Sequence, residues 1–366
     1  MRVVVIGSGI AGASTAYQLA RRGAEVVVVD AARTGVATAA GAGIVSPWTS
    51  RAEEEHFRAA SAAAVYYRTL VAELAEDGEA DTSFEVVGAM VVSADEGELS
   101  EAFERVSRRA AAVPEAGAVR RLDPGQAREL FPALAPDLGA VHVEGGGRVD
   151  GRRLREALLA AAARRGASSV SGQAELSPEG AVRVDGEPLA ADKVVVAAGA
   201  WSGELVAPLG VRLGVEPQRG QISHFELPGV ETGPWPVVLP VSSHYLLAFP
   251  GSRVVAGATR ETGSGFDYRV TAAGQREVLD NALAVAPGLA DATLLETRVG
   301  FRPASEDGLP LLGALPGTPD VLVATGFGAG GLTLAPFAGA LVASLALGEE
   351  PALDLAPYAP DRFRAR

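Results

Sequence analysis

The sequence predicts an α/β fold with a second, mostly antiparallel sheet set into it. Two observations carry this expectation. The first thirty residues run strand, glycine turn, helix, strand, acid. Much later Lys193–Val196 forms another buried apolar run that ends in small residues, and strand-like runs without the period of a parallel unit follow it.

The elements follow in order. Arg2–Ile6 is a short apolar strand, and Gly7-Ser8-Gly9-Ile10-Ala11-Gly12 comes at once. Gly7 permits a tight turn, Gly9 lets backbone approach a pyrophosphate, and Gly12 lets the helix pack on the sheet. The helix over 13–22 stops at Gly23, and the strand Ala24–Val29 ends on Asp30, placed for ribose hydroxyls. The helix N-terminus presents free N–H groups and a positive dipole end to phosphate.

Residues 51–76 show helical spacing, with His56 at an exposed start. Phe84–Ser93 reads as a strand and Glu96–Val113 as a charged surface helix. Asp123-Pro124 caps a helix through Leu130. The turn Gly145–Asp150 leads to a helix over Arg152–Arg165, and a hairpin occupies Gly172–Asp192. Val215–Leu227, Pro240–Phe249 and Arg253–Thr259 read as antiparallel strands, Ala272–Ala286 as a helix, and Thr297–Arg302 as a strand before a proline-rich turn. Val321–Gly348 carries no charge and is long enough to span a bilayer. Its glycines and Pro336 favour a buried strand, a glycine turn and a core helix, so no transmembrane segment is expected.

Composition narrows the function. A net charge of −13 opposes nucleic-acid binding. The chain has no cysteine, which removes disulfides, thiol catalysis and a cysteinyl-linked cofactor, and its four histidines show no metal-ligand spacing, so no metal is expected. A strand starting at residue 2 leaves no signal peptide, which gives a cytoplasmic expectation. Oligomeric state is left open.

Four stretches together resemble the flavin-dependent amine and amino-acid oxidoreductases of the D-amino-acid oxidase superfamily, with the glycine oxidase and D-amino-acid dehydrogenase branch most similar. They are the fingerprint through Asp30, Gly146–Gly151, Val194–Ser202, and the C-terminal pair Gly300–Pro310 and Ala324–Pro336. The resemblance implies a Rossmann-like FAD-binding domain (1–80, 141–214, 300–366) interleaved with a mostly antiparallel substrate-binding domain (81–140, 215–299). It implies FAD rather than NAD. The cofactor is expected to be non-covalent, since the attaching His or Cys of some relatives is absent here.

By resemblance, Gly7, Gly9, Ile10, Ala11, Gly12 and Asp30 hold the dinucleotide. Ala42 and Gly43 lie in a loop against the flavin ring. Ala174, Ala198, Gly199, Trp201 and Arg302 add further contacts. Gly328, Ala329, Gly330, Gly331, Leu332 and Thr333 form the closing flavin loop, whose helix N-terminus faces the pyrimidine end of the ring.

The implied chemistry is oxidation of the C–N bond of a small amine or amino acid, of glycine, sarcosine or D-amino-acid type, with oxygen or another acceptor. Arg302 matches the family's carboxylate-gripping arginine; the alternative is a structural pair with Asp307 or Glu306. Tyr245 matches a substrate-site tyrosine, although Ala248-Phe249 replaces the family's Pro-Arg and a plain aromatic core face stays open. Arg260, at a strand end that faces substrate in relatives, suggests a second acidic or polar group on the substrate; the alternative is a salt bridge to the adjacent Glu261 or another surface acid. Trp48 and His244 are weaker candidates. Two rival functions remain at this stage: an NAD-dependent dehydrogenase sharing only the fingerprint, and a non-catalytic flavin-binding protein.

Overall fold

Two large sheets organise the computed structural model, which describes residues 1–242 and 244–363. The first has six strands in the spatial order Leu311–Leu315, Thr318–Thr325, Lys193–Val196, Arg2–Ile6, Glu25–Asp30, Ser168–Ser171. All are parallel except the Leu311–Leu315 edge. Val3, Val4 and Val5 are fully buried, because helices or loops cover both faces. The alternating valines on the two faces belong to different core clusters.

The helix Ile10–Arg21 is buried from Ile10 to Ala20 and packs against the helices Gly331–Leu347 and Gly151–Arg164. Its approach to the C-terminal helix is close. A Cβ on Gly339 would lie 2.7 Å from Ser14 Cβ, and Ser14 Oγ donates to Pro336 O at 2.7 Å. Pro336 has no N–H, so the Leu332 carbonyl one turn earlier lacks its helical donor. The buried Tyr67 hydroxyl donates there instead. Among the described residues, Gly328–Leu347 is the one helical stretch long and apolar enough to cross a membrane, and 61% of its window is buried within this fold. The expected strand, glycine turn and core helix are seen as Thr318–Thr325, Gly328–Gly330 and Gly331–Leu347.

The second sheet has eight strands in the order Thr293–Ser305, Val215–Glu226, Arg253–Gly257, Tyr245–Phe249, Val237–Pro240, Ala89–Ser93, Gly139–Val143, Val119–Leu122. It is antiparallel apart from the pairing of Val237–Pro240 with Ala89–Ser93. Two strands cross the expected domain limits: residue 141 falls inside Gly139–Val143 and residue 300 inside Thr293–Ser305.

Several local expectations change. The expected strand 240–249 is two strands, Val237–Pro240 and Tyr245–Phe249. The hairpin 172–192 contributes three short strands. The strand expected over 297–302 runs from Thr293 to Ser305, straight through Pro303, which pairs with Pro217. That strand forms the sheet edge, where a residue without an N–H is tolerated.

Candidate active site

A cavity of about 470 Å³ lies between the carboxyl ends of the parallel strands and the eight-stranded sheet. Its lining runs from Asp30 and Ala174 at one end, past Gly7, Gly9, Ile10 and Ala11, to Tyr245, Arg260 and Arg302 at the other.

The glycine turn is enforced by contact. Gly7 has φ +104°, and a Cβ there would lie 2.4 Å from Ala197 O. A Cβ on Gly12 would lie 1.9 Å from Gly7 O, so Gly12 serves helix–turn packing and does not itself line the cavity. Ile10 N–H donates to Thr38 Oγ1 at 2.9 Å. Gly9 itself supplies no side-chain cap and the first turn holds no acid, so beyond the Ile10 N–H the helix end stays open to an anion.

Asp30 lines the cavity with both carboxylate oxygens already engaged. Oδ2 accepts from Ser8 N–H at 2.7 Å and Ser8 Oγ at 2.6 Å, and Oδ1 accepts from Ala32 N–H at 2.7 Å. Burial raises its pKa, but these hydrogen bonds and the charge of Arg155 hold it below the ordinary carboxylate value. Ribose hydroxyls would meet an oriented, ionised acceptor. Sequence reading missed Arg33, three residues on, which also lines this end. Its Nη2 donates to Gln173 Oε1 at 3.0 Å, and its guanidinium sits 5.5 Å from the Trp201 ring centroid.

In the middle, Ala42 and Gly43 face Gly328, Ala329, Gly331 and Leu332 across the lining, with Ala198, Gly199 and Trp201 beside them. Gly43 has φ +97°, and a Cβ would lie 1.8 Å from Val149 O. This explains the Gly146–Gly151 stretch without giving it a ligand: strand Gly147–Arg148 pairs with Ile44–Val45 and props the loop from behind. The helix Gly331–Leu347 also begins without a side-chain cap or an early acid. Gly330 and Thr333 do not line the cavity; Thr333 Oγ1 donates to Ile44 O at 2.8 Å and ties the two loops together. Two open helix starts, side-chain-free turns between them and an ionised acid at one end fit an extended flavin dinucleotide.

Tyr245 and Arg302 lie on strands of the second sheet, and Arg260 follows the strand Arg253–Gly257 between them, so the three converge on one cavity. Arg302 has neither of the expected acid partners: Asp307 pairs with Arg362 at 2.7 Å and Glu306 with Arg212. Its Nη1 instead donates to Thr259 O at 3.0 Å. Burial lowers its pKa, the Tyr245 phenol opposes that, and Arg260 adds to it. The guanidinium stays charged and, among the described residues, has no carboxylate partner. The alternative for Arg260 also fails, since Glu261 pairs with Arg219 at 2.6 Å. Arg260 is exposed, lines the cavity, and likewise forms no ion pair among the described residues. Burial raises the pKa of Tyr245, against the charges of Arg302 and Arg260, so its hydroxyl keeps its proton. Ile222, Ala258, Phe301 and Phe327 complete the apolar walls.

The weaker candidates lie elsewhere. Trp48 is buried, donates from Nε1 to Gly145 O at 3.1 Å and is outside the lining. His244 Nε2 lies 3.5 Å from Glu277 Oε1. His56, expected to be exposed, is half-buried, with its ring close to Gly330. No cluster of metal-ligating side chains occurs among the described residues.

Comparison with known proteins agrees with this geometry. The family model for FAD dependent oxidoreductase (DAO) matches residues 2–345. The crystal structure of iminodiacetate oxidase from Chelativorans sp. BNC1 superposes with a TM-score of 0.96 at 49% identity, covering 98% of this chain and 99% of that one. An uncharacterized oxidoreductase of Bacillus subtilis (strain 168), YurR, is 47% identical over 98% of both chains. The glycine oxidase of Geobacillus kaustophilus (strain HTA426) is 31% identical, covering 98% of this chain and 96% of that one. With a dinucleotide cradle at one end, free guanidiniums at the other and a family match across nearly its whole length, the chain belongs to the DAO family of FAD-dependent oxidoreductases, which settles FAD over NAD.

Proposed function

We propose that this enzyme oxidises a small secondary amino acid carrying two carboxylates, of the iminodiacetate type. One observation carries the reading: Arg302 and Arg260 line the same end of the cavity, and neither is paired with an acid among the described residues. Two fixed positive charges match a substrate of charge −2 with a neutral amine between its carboxylates. The 49% identity to an iminodiacetate oxidase supports the choice. Glycine or N-methylglycine would leave one arginine without a partner.

Arg302, fixed by its bond to Thr259 O, would grip one carboxylate, with the protonated Tyr245 hydroxyl as a further donor. Arg260, reaching from the exposed rim, would grip the other. The two anchors fix the intervening CH2–NH–CH2 unit against the flavin side of the cavity. Bound non-covalently, FAD supplies hydride acceptance from the carbon next to nitrogen. The apolar walls exclude water during that step. The resulting imine then takes up water and separates into glycine and glyoxylate. Oxygen or another acceptor restores the oxidised cofactor.

Among the described residues, no carboxylate or imidazole lines this end to remove the amine proton. The cavity carboxylates Asp30, Glu175 and Glu204 belong to the opposite end, where residues 174–176 and 202–206 pack together. The amine therefore enters neutral, and kcat/KM rises with pH toward the amine's own pKa.

A steady-state panel of iminodiacetate, N-methylglycine, glycine and D-alanine tests the proposal, with consumption of the electron acceptor measured as the rate and the 2-oxo acid (glyoxylate, or pyruvate from D-alanine) measured as product. The highest kcat/KM is expected for iminodiacetate. Equal or better turnover of the monocarboxylates would remove the two-arginine reading.

A further inference from the structure

Directly behind the two substrate arginines lies a third, Arg219, which is only 6% exposed. Its Nη2 and Nε donate to Glu261 Oε2 at 2.6 and 3.1 Å, and its Nη1 donates to Asp267 O at 2.9 Å and lies 2.8 Å from Asp267 Oδ2. Glu261 Oε1 also accepts from Gln221 Nε2 and Thr259 Oγ1, both at 2.7 Å. The backbones are joined as well: Arg219 N–H donates to Glu261 O at 3.1 Å, and Glu261 N–H donates to Arg219 O at 3.0 Å.

This arrangement does two things. It holds residues 259–261 extended along 219–221, so the Thr259 and Glu261 side chains point into the network while Arg260 projects to the other side, into the cavity. The same segment supplies the carbonyls that receive Arg302 Nη1, Thr259 O at 3.0 Å and Arg219 O at 3.5 Å. It also balances charge. Arg219 and Arg269 offset Glu261 and Asp267, which leaves Arg260 and Arg302 as the uncompensated +2.

We propose that Arg219 is a specificity-determining positioning residue: by neutralising Glu261 it keeps Arg260 and Arg302 available for a dianionic substrate. Without Arg219, the Glu261 carboxylate would bear directly on both guanidiniums and reduce the site to a net +1. A dianion, which meets that field at both ends, loses more than a monoanion. The inference rests on the two-carboxylate reading of the site.

The test uses holoenzyme and two ligands that cannot be oxidised, with perturbation of the flavin absorption band as the binding signal. Diglycolate has an ether oxygen in place of the amine of iminodiacetate, and methoxyacetate lacks its second carboxylate. In the unmodified enzyme diglycolate binds more tightly; equal binding would overturn the two-carboxylate reading and this inference with it. If that ratio is present, the variants decide the role of Arg219 alone. Arg219→Met should weaken diglycolate about tenfold, and methoxyacetate by clearly less. Arg219→Lys, which keeps the charge, should stay near the unmodified value. The double variant Arg219→Met/Glu261→Gln should recover the diglycolate preference, since its site again carries +2. Glu261→Gln alone retains Arg219 and should bind diglycolate at least as tightly as the unmodified enzyme. Equal weakening of both ligands by Arg219→Met, a double variant without recovery, or selective loss of diglycolate in Glu261→Gln would each overturn the proposal.

Discussion

Replacing Arg260 by Met keeps the apolar stem and removes one charge from the rim of the cavity. A hydrogen bond to a charged group contributes about 1.5–3 kcal/mol, and the exposure of Arg260 places it in the lower half of that range. About 1.5–2 kcal/mol corresponds to a loss of roughly 10- to 30-fold in kcat/KM. The loss should fall on iminodiacetate, while N-methylglycine, which engages one arginine, changes by no more than about twofold. Arg302→Met is the contrast. That guanidinium is far more buried, and truncating one partner of a buried charge pair costs about 2–5 kcal/mol, so all carboxylate substrates should lose at least about 30-fold. Steady-state kcat/KM for both substrates with both variants is the assay, with flavin content measured on each preparation. If Arg260→Met lowers both substrates equally, or neither, the assignment of one carboxylate to each arginine is wrong.

Other consequences can be checked on stability and cofactor content. Gly7→Ala puts a methyl where Ala197 O would be 2.4 Å away, at φ +104°, so the protein should purify with little or no flavin. Retention of a full complement of FAD would contradict the role given to that turn. Asp77 accepts from Tyr17 at 2.8 Å and from Arg21 at 3.0 Å, joins Arg165, and has a side chain only 4% exposed. Asp77→Asn breaks this junction and should lower unfolding free energy by about 2–4 kcal/mol, read from urea curves. His224 is buried, and both ring nitrogens lack partners among the described residues; burial, with the charge of Arg298, lowers its pKa from 6.5 to about 4. The unfolded chain therefore takes up the proton first, and stability falls as pH drops from 6.5 to about 4, by on the order of 3 kcal/mol. A His224→Gln variant should show a shallower loss over that window; an unchanged slope would mean His224 is not the source.

The parts legible in the sequence are those governed by short-range rules. The turn Gly7–Gly12, the acid at Asp30 and the loop at Gly328–Leu332 each combine a residue type with an adjacent strand or helix, and all border the cavity except Ser8, Gly12 and Gly330. Arg302 and Arg260 were legible through family-like motifs. Their freedom from acidic partners was not, because it depends on Arg219 reaching 42 residues along the chain to Glu261, and on Arg362 reaching 55 residues back to Asp307. Ser168–Ser171 was missed as a strand since its residues are exposed and lack alternation; it is held as a parallel edge against Val27–Asp30. Thr293–Ser305 was read too short because Pro303 resembles a breaker, and only its edge position makes it harmless. The side-chain direction of Thr333 was equally hidden. It belongs to a flavin-loop motif, yet helix geometry turns its hydroxyl to Ile44.

Anaerobic mixing of the yellow holoenzyme with iminodiacetate tests the central claim most directly. Rapid bleaching of the visible flavin band is expected, at least tenfold faster than with N-methylglycine at equal concentration, followed by release of glycine and glyoxylate in equal amounts. A flavin that stays oxidised with iminodiacetate, or that is reduced faster by monocarboxylate amines, would contradict it.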